Sequence, residues 1–73
     1  MRRIRVLRLQ LGMSGVELGR KARVHPGDVS CIELGRKSPP AGSPTLRRLA
    51  KAVGWQGAPG ALLEEVANDG PAA

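Results

Sequence analysis

The residues with most chemistry to offer in this chain are its cations. Twelve Lys and Arg stand against six Asp and Glu, a formal net charge of +6, and every cation lies at or before Lys51, with Glu64, Glu65 and Asp69 after it. A small, strongly basic unit attracts a polyanion by releasing condensed counterions, and nucleic acid is the commonest such partner. The same composition also fits an Arg-rich solvated surface, so charge alone leaves both readings open. Bond-making chemistry has far less support. One histidine, His25, and one cysteine, Cys31, cannot complete a zinc site, and no glycine-rich phosphate loop follows a strand. The reading is therefore no catalytic residue, no metal and no cofactor. Trp55, the single aromatic, gives no stacking platform for single-stranded RNA.

Glycines, prolines and caps place these cations on an all-α frame of five helical segments. In the first, Ile4, Leu7 and Leu11 recur at helical spacing and Gly12 ends the pattern. Ser14 with Glu17 three residues on is a capping box, which opens a second helix over about residues 15–22. Pro26 suits a first helical position, because its missing N–H would be unpaired there, and the third helix runs over about residues 26–34 to the stop at Gly35. A tight turn over Pro26-Gly27-Asp28 would instead delay that helix by two residues. The loop Gly35–Gly42 leads to Ser43-Pro44 and a fourth helix with Leu46, Leu49, Ala50 and Val53 on one face. After Trp55-Gln56-Gly57-Ala58, Pro59 opens a fifth segment carrying Leu62, Leu63 and Val66. One domain over residues 1–67 and a flexible tail over 68–73 follow. A chain this short buries about 60% of its unfolded surface.

Gly12-Met13-Ser14, Glu17-Leu18, Val24, Val29-Ser30, Ile32-Glu33, Gly35-Arg36 and Leu46 to Gly54 resemble the helix-turn-helix of the phage Cro/CI-type repressors, the XRE family. The resemblance spans roughly residues 3 to 55. It implies a compact five-helix, lambda-repressor-like domain, prokaryotic or phage-encoded, whose third helix enters the DNA major groove while the second lies across the backbone. Arg8 and Glu33 match a pair that in the family ties the first helix to the end of the third. Ser14, Gly15 and the first amides of the second helix would face a phosphate, with Gly15 standing where a glutamine is usual. Gly19 stands where a small alanine is usual and keeps room for the third helix.

Further phosphate contacts are expected from Arg20, Lys21 and Arg23 around the turn and from Arg36 and Lys37 after the third helix. Base contact would fall to His25, Pro26, Gly27, Asp28, Ser30 and Cys31, and this face departs from the family pattern. Pro26 and Gly27 have no side-chain donor, so the bidentate Arg-guanine or Gln-adenine contacts that discriminate by about 1–3 kcal/mol are missing. His25 is read as a cap first and a DNA ligand second, and Ser30 as pointing partly inward.

Two functions follow. One is a duplex-DNA-binding transcriptional regulator of modest specificity, relying on phosphate clamping and DNA shape. The other is a protein-interaction module on the same fold, such as an antitoxin or a phage factor docking on a host enzyme. Trp55, Leu62, Leu63 and Val66 would pack on the first and fourth helices or form a homodimer contact. No small-molecule ligand is evident. The lone cysteine and the start Met1-Arg2-Arg3-Ile4-Arg5, which is neither a signal peptide nor a membrane span, suggest a cytoplasmic address.

Overall fold

Caps and apolar spacing become four α-helices in the computed structural model, which describes residues 1–66. These are α1 (Arg3–Gln10), α2 (Gly15–Ala22), α3 (Pro26–Glu33) and α4 (Pro44–Ala52). The capping box forms as its spacing predicts: the Glu17 amide donates to Ser14 Oγ at 3.0 Å, and the Ser14 amide donates to Glu17 Oε1 at 3.1 Å. At α4, Ser43 Oγ accepts from the Leu46 amide at 3.3 Å, with Pro44 in the first turn.

Ile4, Leu18, Val29, Ile32, Leu46, Leu49 and Leu62 are fully buried, so every helix sends at least one side chain into a shared core. Each such burial stabilises by about 1.5–3 kcal/mol relative to an exposed side chain. Ala22, Val24, Ala50, Ala52 and Val53 close the gaps between them.

The fifth segment is not an α-helix but a 3-10 helix, Pro59–Leu63, that ends at an extended Glu64. The cause lies at the other end of the chain, where α1 begins without a side-chain cap and leaves amides unpaired. The extended residues after Leu63 pair with this end of the chain: the Arg3 amide donates to the Glu64 carbonyl at 2.8 Å, and the Val66 amide donates in return to the Met1 carbonyl at 2.8 Å. Continuing the helix would remove this pairing. Leu62 meanwhile fills the core, Leu63 and Trp55 pack against it, and the Arg3 guanidinium lies 5.0 Å from the Trp55 ring centre. These side chains thus find their apolar partners within their own chain.

One other expectation changes, and one alternative falls away. Leu11 is 55% exposed, because α1 stops at Gln10 and the chain turns through Gly12 at φ +70°, while Val6 is buried instead. α3 starts at Pro26 without a preceding tight turn, since His25 Nδ1 accepts from the Gly27 amide at 3.0 Å and supplies the cap. The end of the domain at residue 67 and the tail over 68–73 lie outside the described residues.

Candidate nucleic-acid interface

The α2–α3 corner is set by backbone contacts before any side chain reaches outward. Gly19 is buried on α2, and its carbonyl accepts from the Val24 amide at 2.8 Å. A Cβ on Gly19 would lie 2.6 Å from the Val24 carbonyl oxygen and 3.3 Å from Pro26 Cγ, so glycine is needed for this approach. Arg23, the cap that turns the chain, holds φ 57° and ψ 45°, a left-handed conformation that costs a non-glycine residue about 1–2 kcal/mol.

Arg8 fastens this corner to α1. Its Nε and Nη2 donate to the two Glu33 carboxylate oxygens at 2.7 and 3.0 Å, and its Nη1 donates to the Met13 carbonyl at 2.8 Å. One guanidinium therefore joins α1, the approach to α2 and the end of α3. Both side chains are largely buried, and the hydrogen bonds that Arg8 donates to Glu33 hold its guanidinium above its ordinary pKa although burial acts the other way. Such a pair is costly to break, because either partner alone is a desolvated charge.

What α3 presents outward follows from its period. Gly27, Ser30, Cys31 and Leu34 share one face at spacings of three and four residues, with Gly27 and Ser30 exposed, Cys31 half-buried and Leu34 52% exposed. Ser30 points outward and not partly inward. Pro26 and Asp28 sit at the two edges of this face, and His25 is committed to its cap.

A sequence model described as "Helix-turn-helix domain" matches residues 2–66. The chain belongs to this helix-turn-helix family. Searches of curated proteins and of solved structures give no significant match. The family assignment agrees with the XRE-like resemblance of the sequence and suggests DNA binding.

Around the helix-turn-helix the expected phosphate ligands divide into two groups. At the start of α2, Gly15, Pro26 and Ser30 line a notch of about 310 Å³ that is overhung by Arg5 and Arg8. Glycine and proline leave space where longer side chains would stand. Arg5 was not anticipated, yet its Nε is buried there without a hydrogen-bond partner. The readable signal was its position one turn before Arg8, above two residues that leave space.

Arg20 is exposed on α2, and Arg36 is exposed just past α3, where its amide donates to the Cys31 carbonyl at 2.9 Å. Lys37 reaches Asp28 at 3.3 Å, which gives that carboxylate a counter-charge and draws the lysine toward α3. Arg2, also not anticipated, secures this segment by donating to the Ile32 and Lys37 carbonyls, each at 3.1 Å, and to Ser38 Oγ at 2.8 Å. Lys21 and Arg23 instead lie at the far end of α2, beside Arg48 and Lys51 of α4. Eight residues of α-helix put roughly 12 Å between that end and Ser14. Among the described residues no group of three His, Cys, Asp or Glu side chains is placed to hold a metal, and no helix is long and apolar enough to cross a membrane.

Proposed function

We propose that this protein is a transcriptional regulator that binds double-stranded DNA with modest sequence specificity, α3 lying in the major groove. The observation that carries the proposal is an outward face of α3 left uncovered by its own chain, flanked by cations at both ends: Arg5 by the notch at the α2 start, Arg36 and Lys37 after α3. Ser14, the Gly15 amide, Arg5, Arg20, Arg36 and Lys37 would meet phosphates, fixing register without reading sequence. Ser30 and Cys31 would meet base edges, and Gly27 would let the backbone come close. A short hydroxyl and a thiol cannot match a bidentate Arg or Gln contact, so shape and deformability of the DNA supply most of the preference. Such a regulator acts in the cytoplasm of a prokaryotic host.

Gel shifts on mixed genomic fragments test this reading. Arg20→Ala and Arg36→Ala should weaken binding to all fragments alike, whereas Cys31→Ala should change their ranking. The second reading, a protein-docking module, draws on Leu34, an apolar side chain more than half exposed on the recognition face. Absence of any shift at low salt would favour it and discard the regulator.

A further inference from the structure

We infer that the cleft between the ends of α2 and α4 is a second anion site, one that takes adjacent phosphates of an oligophosphate chain. Lys21, Arg23, Arg48 and Lys51 surround it, Ala22 and Ala52 form its floor, and its volume is about 390 Å³. Taken singly, Lys21 and Lys51 have an ordinary explanation, since cations are favoured at helix C-termini. That explanation does not cover four like charges gathered around one hollow.

No anion of the described residues answers them. Among the described residues Glu17 is bound to the Ser14 amide, Asp28 to Lys37, Glu33 to Arg8, Glu64 to Arg3 and Glu65 to the chain's amino group. The described residues thus leave this cluster open to an anion from outside. One donor is already fixed in place: Arg48 Nε donates to the Ala22 carbonyl at 3.1 Å, which leaves its two terminal nitrogens for a ligand. A guanidinium held in this way loses less freedom when it binds a phosphate fork.

The lining also says what kind of anion fits. It contains no aromatic side chain, so a nucleobase has nothing to stack on and recognition falls on the charged groups. A single carboxylate would leave most of the cations unpaired. An acidic peptide brings one charge per residue together with polar backbone that two alanine methyls cannot hydrogen-bond. Consecutive phosphates place several charges in the available volume. They can come from the sugar-phosphate backbone of DNA or from a free oligophosphate.

Inorganic tripolyphosphate is the probe, titrated into the uniformly 15N-labelled chain and followed by amide shifts. Saturable shifts are expected at Ala22, Arg23, Ala52 and Val53, with Gly27 and Cys31 unmoved. The double variant Lys21→Ala, Lys51→Ala should weaken binding at least tenfold, its spectrum reporting that the fold is kept, while Arg47→Ala on the same helix should change it less than twofold. Shifts spread evenly over all cationic segments, or equal losses in both variants, would overturn the site. A short duplex then identifies the source. Displacement of the probe, with a DNA salt slope lower by about 2 in the double variant, assigns the cleft to the DNA backbone. Simultaneous binding of probe and duplex assigns it to a free oligophosphate. The probe titration needs no DNA, so it stands or fails separately from the regulator reading.

Discussion

The outward face of α3 and the cleft between α2 and α4 are built from neighbouring helices to opposite recipes. The first carries Gly27, Ser30, Cys31 and Leu34, without a charge among them; the second carries Lys21, Arg23, Arg48 and Lys51 and, among the described residues, no counter-charge. The difference begins with helix ends. A helix start needs caps and a suitable first turn, and α3 commits His25, Pro26 and Gly27 to that role, positions from which base-reading side chains would otherwise extend. Helix ends favour cations, so α2 and α4 gather them where no base edge is expected. In the proposed DNA complex, grip and readout would consequently be held by different parts of this small domain, with readout the weaker.

The comparison breaks most completely when the frame common to both regions fails. Arg8→Met leaves Glu33 as an unpaired charge in a largely buried site and should cost about 3 kcal/mol in urea unfolding. Adding Glu33→Leu should restore much of that loss. Gly19→Ala comes next. Its methyl would press on the Val24 carbonyl, and a net loss of about 2 kcal/mol is expected although alanine gains about 1 kcal/mol in helix propensity. A stability equal to or above the parent would show that the α2–α3 corner has slack.

Arg23→Gly sharpens the contrast because its two effects have opposite signs. Relief of the left-handed backbone should stabilise the fold by about 1 kcal/mol, read as a higher melting temperature, while tripolyphosphate affinity falls about threefold. The smallest effect belongs to Cys31→Ala, which should move stability by less than about 0.5 kcal/mol and alter only the ranking of DNA sequences.

What the sequence made legible was local. Ser14 with Glu17, Ser43 with Pro44 and the stop at Gly35 act over a few residues, and each appears where its spacing places it. Arg8 with Glu33 was legible only through the family resemblance, because 25 residues separate the partners. Leu11 misled because apolar spacing ran past Gln10, the last residue of α1. The fifth segment misled because its conformation answers to backbone groups at the opposite end of the chain. The Arg2 clasp and the gathering of Arg48 and Lys51 beside Lys21 were invisible for the same reason. They arise from helices that meet only after folding, and no periodicity records them.

The claim that this domain grips DNA more than it reads it is tested most directly by fluorescence anisotropy. A preferred duplex and a scrambled one would be titrated from about 50 mM to about 200 mM salt. The account predicts that log K falls linearly with log salt for both duplexes, with a preference of no more than about 10³, the low end for specific binders. Absence of binding at the lowest salt, or a preference far above that ratio with a shallow salt slope, would contradict it.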